Sequence, residues 1–407
     1  MKTMKVFAVM LTVIFLIANF NNIQAQGGNG WRGISGDNKV SGFDIPVKWP
    51  EQLKSTWQVK VGLGDASPVL VKNKIFLHVM QDTTEVALCI NASDGKEIWK
   101  TSLNPSPKIT GPAIGHPGPR STPFVTDGKV ITVGTGGIVH CLDANSGKVI
   151  WQNDAFKEVP QFFCGSSPLV LNKMCIIQLG GKTQGVTVAF DINTGKEIWK
   201  LEGIPTTYAS PVLMKTIKNT LLVQSETDLC GVSTDGKLLW KIPCPVQRMF
   251  NNANSPVYED QNVLVTGQGS GTKLISILKQ GETWETKEIW KNAELGVSFN
   301  TPIIKDGFIY GHEAKKGEIY CLNAKTGEKV WFEATPHNRF ASLTDAGKVL
   351  VSLPATGNLI IIQPSGEKYV ELAKYKVSET EVYASPILNG SNVFVKDKEM
   401  LTSWSLK

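Results

Sequence analysis

The chain has 407 residues, of which 42% are hydrophobic and 19% are charged, and its formal net charge is +6. This composition excludes disordered, fibrous and collagen-like chains and indicates a globular protein with a sizeable core. The basic residues are spread along the chain, many of them beside turn glycines, and no run of five or six occurs. We therefore expect no nucleic-acid partner.

The first 25 residues differ from the rest. Lys2 and Lys5 precede an apolar run over residues 6–18, and the small Ala25 follows a short polar stretch. A bilayer span takes roughly 20 apolar residues, so this run is too short to be one. A basic start, a short apolar run and a small residue near the end predict a cleaved secretory signal over residues 1–25. An uncleaved N-terminal anchor is the alternative.

Cleavage would leave an exported chain without a membrane segment. Loss of Lys2 and Lys5 lowers the net charge from +6 to +4. No cysteine precedes Cys89, so a new N-terminus would carry no thiol for a lipid. We expect a periplasmic or extracellular monomer that is not lipid-anchored.

The remainder of the chain repeats one phrase. "DANSGKVIW" at residues 143–151 and "DINTGKEIW" at residues 191–199 are two copies, and the spacing between successive tryptophans is 41 to 52 residues. Such a period indicates a repeat architecture. The tryptophans of the repeat are Trp57, Trp99, Trp151, Trp199, Trp240, Trp290 and Trp331. The glycines of its turns are Gly95, Gly147, Gly195, Gly236 and Gly327.

A second signal opens each unit. It is Ser-Pro or Thr-Pro followed by a short apolar run, as in "ASPVLV" at residue 66, and eight units begin with it or a variant of it. Each unit predicts four strands: proline at the start of the first strand, then two β-branched strands, then a tight turn whose glycine takes positive φ, then the strand with the tryptophan.

Eight such units predict an all-β fold, a single eight-bladed β-propeller of four-stranded blades. The last unit, Ala384 to Lys407, has only three strands, and the strand around Trp57 would supply the fourth and close the ring. Closure would hide both sheet edges. We expect an N-terminal extension over residues 26–54 and the propeller over residues 55–407.

The tryptophans are predicted to pack between blades, burying roughly 150–250 Å² each. Two units depart from the pattern. The seventh has Val370 where tryptophan is expected, which predicts a weaker contact between blades, and the fifth has a longer hairpin before Trp290.

Blades with "LDANSGKVIW" and "FDINTGKEIW" resemble the pyrroloquinoline-quinone (PQQ)-type propeller repeat with its tryptophan-docking motif. The resemblance covers Trp31 to Lys407, including "WRG" at Trp31 to Gly33. It implies the fold more than an activity, because the family includes quinoprotein dehydrogenases, scaffolds of outer-membrane protein assembly and members without known function.

The dehydrogenases of that family stack PQQ against a vicinal disulfide and bind Ca²⁺ through Glu, Asn and Asp. This chain has no adjacent cysteines, no haem-attachment motif and no Gly-x-Ser-x-Gly. Cys89, Cys141, Cys230 and Cys321 occupy one strand position in four units, which indicates small core residues too far apart for disulfides. We therefore expect no catalytic residues, no cofactor and no metal site, although PQQ with calcium is testable.

The loops that lead into the Ser-Pro strands should gather on one face around the central channel. Arg, Asn, His and aromatic residues there would suit a protein segment, a glycan or a polar small ligand. The candidate residues are His116, Arg120, Tyr208, Arg248, Asn251, Asn252, Asn300, His337, Arg339 and Tyr383. The sequence favours an exported, non-catalytic binding or scaffold propeller. The alternatives are a PQQ-dependent oxidoreductase and a carbohydrate- or polymer-binding module.

Overall fold

A computed structural model describes residues 29–33, 36–217, 220–245 and 252–407. The predicted secretory signal lies outside the described residues. The described part is built from β-strands, with one turn of 3₁₀ helix at Gly111–Ala113. No helix in this part of the chain has the length and apolar character needed to cross a membrane.

The strands form eight four-stranded antiparallel sheets, which are the blades of a propeller, so the predicted fold class is confirmed. Blade 1 consists of β2 (Val69–Val71), β3 (Lys74–Gln81), β4 (Thr84–Asn91) and β5 (Glu97–Pro105), and blade 2 of β6 (Phe124–Thr126), β7 (Lys129–Val133), β8 (Val139–Asp143) and β9 (Val149–Asn153). Blade 3 consists of β10 (Leu169–Leu171), β11 (Met174–Leu179), β12 (Val186–Asp191) and β13 (Glu197–Glu202), and blade 4 of β14 (Val212–Met214), β15 (Thr220–Gln224), β16 (Asp228–Ser233) and β17 (Leu238–Pro243). Blade 5 consists of β18 (Val257–Glu259), β19 (Asn262–Gly267), β20 (Gly271–Gln280) and β21 (Thr283–Asn292), and blade 6 of β22 (Ile303–Lys305), β23 (Phe308–His312), β24 (Ile319–Asn323) and β25 (Lys329–Glu333). Blade 7 consists of β26 (Ala341–Asp345), β27 (Leu350–Pro354), β28 (Asn358–Ile362) and β29 (Glu371–Lys376), and blade 8 of β30 (Ile387–Asn389), β31 (Asn392–Lys396), β32 (Met400–Ser405) and β1 (Lys54–Lys60).

The ring is closed as the sequence predicts. Strand β1 pairs antiparallel with β32, with Lys54 opposite Ser405 and Lys60 opposite Met400. In each blade the strand that follows the Ser-Pro signal lines the central channel. The fourth strand, which carries the tryptophan in seven blades, is outermost. The interblade loops lie on one face, called the loop face, and the Asp/Asn-x-x-Gly turns lie on the other, called the turn face.

The repeated tryptophan joins neighbouring blades. Its indole N–H donates to a backbone carbonyl in the turn of the next blade over 2.8–3.1 Å. The six donor and acceptor pairs are Trp57 and Ala92, Trp99 and Ala144, Trp151 and Ile192, Trp199 and Thr234, Trp290 and Ala324, and Trp331 and Ser365. The turn glycine lies against the same ring, and a Cβ on Gly195 would come within 2.6 Å of Trp151. Glycine is therefore needed both for its positive φ and for this close approach.

Two of the contacts between blades lack this tryptophan hydrogen bond, for different structural reasons. Trp240 docks toward blade 5, where the longer hairpin replaces the usual turn, and its indole N–H has no partner among the described residues. Blade 7 has no tryptophan, and residues of the N-terminal extension pack there instead. Phe43, Trp49 and Leu53 join the apolar core between blades 7 and 8, and Tyr375 donates to the carbonyl of Pro50 over 2.9 Å.

The Ser/Thr-Pro signal builds a ring of hydrogen bonds around the channel. In six blades the backbone N–H of this Ser or Thr donates to the hydroxyl of its counterpart in the next blade, over 2.8–3.3 Å. The six described bonds run from Ser385 to Ser67, Thr122, Ser167, Ser210, Ser255 and Thr301 in turn. The hydroxyl thus satisfies buried N–H groups that the strands leave unpaired.

The N-terminal extension enters the channel and leaves it on the turn face. Trp31 donates through its indole N–H to the ring hydroxyl of Ser255 over 3.0 Å, and the carbonyl of Asn29 accepts from Val125. Further along, Lys39 forms a parallel bridge with Asp345 at the end of β26. Residues 29–33 and 36–40, called the channel segment, therefore fill part of the space between the inner strands.

Candidate binding face and channel

The loop face carries the candidate residues that the structure describes. His116 and Arg120 lie in the loop between β5 and β6, Tyr208 precedes β14, and Tyr383 precedes β30. Asn252 precedes β18, Asn300 precedes β22, and His337 and Arg339 precede β26. Arg248 and Asn251 lie outside the described residues.

His116 is at the centre of this face. Its Nδ1 lies 2.8 Å from Oδ2 of Asp65, and both side chains are about one-quarter exposed, at 27% and 25%. The imidazole meets Tyr383 edge-on at 4.6 Å between ring centroids and lies 6.0 Å from Phe340. Three interblade loops therefore meet at His116.

A stacked aromatic pair continues the surface. The rings of Phe299 and Phe340 lie 4.3 Å apart and are nearly parallel, at 11°. The guanidinium of Arg339 lies over both, 5.2 Å and 5.4 Å from their centroids, and Arg339 is exposed. His116, Phe299, Arg339, Phe340 and Tyr383 are called the loop-face cluster.

Arg120 and Tyr208 extend this surface on the other side of His116. Nη2 of Arg120 donates to the carbonyl of His116, and its guanidinium lies 5.9 Å from the ring of Phe163. The hydroxyl of Tyr208 accepts the N–H of Phe162 over 3.1 Å. Burial raises the pKa of Tyr208 to about 12, so its hydroxyl stays protonated at neutral pH.

The remaining candidates have inward-facing side chains. Asn252 and Asn300 are each 4% exposed. The amide of Asn252 donates to three backbone carbonyls, and that of Asn300 to the carbonyls of His312 and Arg339. These two residues hold loops in place. His337 is half-buried, and burial lowers its pKa.

Phe299 and Phe340 were not among the candidates derived from the sequence. A signal for them exists in the repeat, because the residue two positions before the ring Ser or Thr is half-buried and lies on the loop face in every unit. These eight positions are Asp65, Arg120, Gly165, Tyr208, Ala253, Phe299, Phe340 and Tyr383. Alignment of the units on the Ser/Thr position finds both phenylalanines.

A buried polar cluster between blades 1 and 2 was also not predicted from the sequence. His78, Glu85 and His140 are 0%, 4% and 2% exposed, and Nε2 of His78 lies 3.4 Å from the Glu85 carboxylate. Burial opposes ionisation of Glu85, but the adjacent imidazole of His78 and the hydrogen bond from the N–H of Thr135 outweigh it and lower its pKa. Burial lowers the pKa of His140 to about 4.

The described residues do not fit the quinone site that the resemblance implies. They contain no group of three His, Cys, Asp or Glu side chains placed to hold a metal ion. All seven cysteines are free and buried, and burial raises the pKa of Cys164 to about 12. The channel segment also occupies space between the inner strands, so no catalytic step through a quinone follows from these residues.

Eight four-stranded blades with tryptophans docked on the turn glycines of the next blade define a propeller of the PQQ-like repeat class. The chain belongs to the family described as outer membrane protein assembly factor BamB, whose model matches residues 82–333.

Relatives within this class differ in their named activities. The chain is 24% identical over 318 residues to the quinohemoprotein alcohol dehydrogenase ADH-IIG of Pseudomonas putida, a match that covers 75% of this chain and 38% of that enzyme. Matches to curated quinone and polyvinylalcohol dehydrogenases likewise span 36–44% of the length of those proteins.

Solved structures share the fold at low identity. BamB from Moraxella catarrhalis superposes with a TM-score of 0.64 at 13% identity, covering 87% of this chain and 97% of that one. A europium-containing methanol dehydrogenase superposes with a TM-score of 0.71 at 14% identity, covering 91% and 89%. At such identities the likeness establishes the fold alone.

Proposed function

We propose that this chain is an exported, non-catalytic scaffold that binds a protein segment through the loop-face cluster. The observation that carries the proposal is the placement of Arg339, exposed over the stacked Phe299 and Phe340, beside His116 and Tyr383. Arginine and tyrosine supported by packed neighbours are the residues that dominate binding energy at protein interfaces.

The shape of the site supports a macromolecular partner over a small ligand. The rings of the cluster pack on each other, so the surface they offer is broad, and the channel beneath contains the chain's own channel segment. Arg120 and Arg339 give the face two guanidinium groups, which suits an acidic segment with apolar anchors. The family description, an assembly factor, agrees with a scaffolding role.

The alternative function is that of a PQQ-dependent oxidoreductase. The similarity to quinohemoprotein alcohol dehydrogenase is the observation in its favour. It is tested by titrating the purified protein with PQQ and Ca²⁺ while following quinone absorbance and thermal unfolding. Saturation at 100 times the dissociation constant would stabilise the fold by about 2.7 kcal/mol. Quinone binding with that stabilisation would displace the scaffold proposal.

The scaffold is tested by site-specific photo-crosslinking in intact cells. A photoreactive amino acid replaces Glu381, an exposed residue two positions before Tyr383, in one variant and Lys196, an exposed residue of a turn on the opposite face, in the matched control. We expect a discrete crosslinked protein from position 381 and none from position 196. Equal crosslinking at both positions, or none at 381 when the chain is fully expressed, would contradict the proposal.

A further inference from the structure

The channel segment leaves two adjoining cavities beside it. The larger, about 230 Å³, lies between the segment and blades 5 and 6, where Tyr258 and Ile304 line its walls. The second, about 200 Å³, is bordered by Trp31 and apolar residues of blades 2 to 4. Gly36 and Val212 line both cavities, which are therefore adjacent.

Arg32 lines the larger cavity and is only 6% exposed. Its Nη1 has no hydrogen-bond partner among the described residues. Asp37 acts on it through charge alone, and burial lowers the pKa of the guanidinium to about 10, so Arg32 stays charged at neutral pH. A buried charge without a paired acceptor is strongly unfavourable, and an oxyanion in the cavity would relieve that cost.

The backbone holds Arg32 in this position. Its φ is +59°, a conformation uncommon for a residue with a side chain, and its carbonyl accepts the N–H of Asn38 over 3.0 Å. The loop from Gly30 to Asn38 is closed by further bonds between its own backbone groups. The guanidinium is thus set in place by the loop rather than by a partner of its own.

Charge and shape narrow the ligand class. Asp37, Glu259 and Asp260 are exposed residues on the lining of the larger cavity. They outnumber its two cations, Arg32 and Lys39, and this excess of negative charge disfavours phosphate and polyanions. The neighbouring apolar cavity, with Trp31 and Phe124 among its walls, has room for a hydrocarbon body. A carboxylate matches the planar donor face of a guanidinium in a bidentate way.

We propose that the channel binds a small organic monocarboxylate, with its carboxylate on Arg32 and its hydrocarbon body in the apolar cavity. The site opens on the side of the propeller away from the loop-face cluster, and it does not depend on the scaffold function. The proposal therefore stands or fails separately from that of the protein partner.

The test uses the protein purified after export of the full chain, in a buffer free of carboxylates and phosphate. Acetate, butyrate and hexanoate are titrated by calorimetry, with phosphate and sulfate as competing anion classes. We expect affinity to rise by about fourfold for each added methylene. Arg32→Met should weaken hexanoate binding by about tenfold or more, because it removes a charge-assisted hydrogen bond. Arg32→Lys should retain part of the affinity, and Lys196→Met should leave it unchanged.

Thermal unfolding without ligand separates binding from a structural role. Arg32→Met keeps the same backbone strain and removes a buried charge, so its melting temperature should equal or exceed that of the wild type. The proposal is overturned if Arg32→Met binds hexanoate as the wild type does, or if phosphate and sulfate bind as tightly as hexanoate. It is also overturned if the wild type binds no carboxylate and Arg32→Met melts several degrees lower.

Discussion

Two adjacent serines in blade 3 allow the hydroxyl ring to be tested with a built-in control. Ser166 and Ser167 are both 2% exposed. The hydroxyl of Ser167 accepts the N–H of Thr122 over 2.9 Å, whereas that of Ser166 has no partner among the described residues. Ser167→Ala leaves the N–H of Thr122 buried and unpaired, which should cost about 1–3 kcal/mol of unfolding free energy. Ser166→Ala should cost nothing or stabilise slightly, because it removes an unsatisfied buried hydroxyl.

Guanidinium unfolding followed by tryptophan fluorescence measures both variants at unchanged m-value. Amide hydrogen exchange supplies a local readout, since the N–H of Thr122 should exchange faster in Ser167→Ala and at the wild-type rate in Ser166→Ala. Equal losses of stability in the two variants would refute the role of the hydroxyl ring. So would an unchanged exchange rate at Thr122 in Ser167→Ala.

Three further predictions concern packing and protonation. In chemical denaturation, Gly195→Ala should lower the free energy of unfolding by about 1–3 kcal/mol more than Gly128→Ala does. Both glycines have positive φ, but only the Cβ at 195 would collide with Trp151, and equal losses would argue against docking. Trp151→Phe should lower the free energy of unfolding by about 1 kcal/mol more than Trp240→Phe, because only the indole of Trp151 has a hydrogen bond to lose. The reverse order in the same assay would be evidence against a stabilising role for this hydrogen bond. Burial lowers the pKa of His140 to about 4 in the folded chain, against roughly 6.5 when unfolded, so the unfolded state takes up the proton between these values. The free energy of unfolding should therefore fall by about 3 kcal/mol as pH drops from 6.5 to 4 and then level off. In melting curves recorded over this pH range, His140→Gln should remove that fall. If the variant still loses stability between pH 6.5 and 4 as the wild type does, another group is responsible.

The fold was predictable because each blade repeats the residues that specify it. The Ser/Thr-Pro signal or a variant of it opens all eight units, the tryptophan recurs in seven and the turn glycine in five, and the three-stranded last unit indicates how the ring closes. The role of the Ser/Thr hydroxyl was not predictable, because its partner N–H belongs to the next blade. A hydrogen bond such as that between Thr122 and Ser167 becomes visible only once the blades are placed side by side.

The candidate site could be predicted only in part, for a related reason. His116 and Arg339 were predicted as candidates because they lie in loops, where functional residues concentrate, and the structure places both in the loop-face cluster. Phe299 and Phe340 were missed because each lies a few residues or less before a strand and looks like a core residue. Asn252 was found by its residue type, yet its amide bonds to backbone, since a buried loop needs donors for its own carbonyls.

The departures from the repeat share a structural cause. Blade 7 has Val370 in place of the docking tryptophan, and its Ser342 hydroxyl has no partner among the described residues, so the ring of hydrogen bonds is not continued there. The same blade receives the N-terminal extension, through the bridge of Lys39 to Asp345 and the bond from Tyr375 to Pro50. Blade 7 therefore lacks both the tryptophan and the hydroxyl bond and is held instead by a segment from outside the repeat, which also places Arg32 in the channel. Irregular units in such a repeat thus indicate where a chain acquires features of its own.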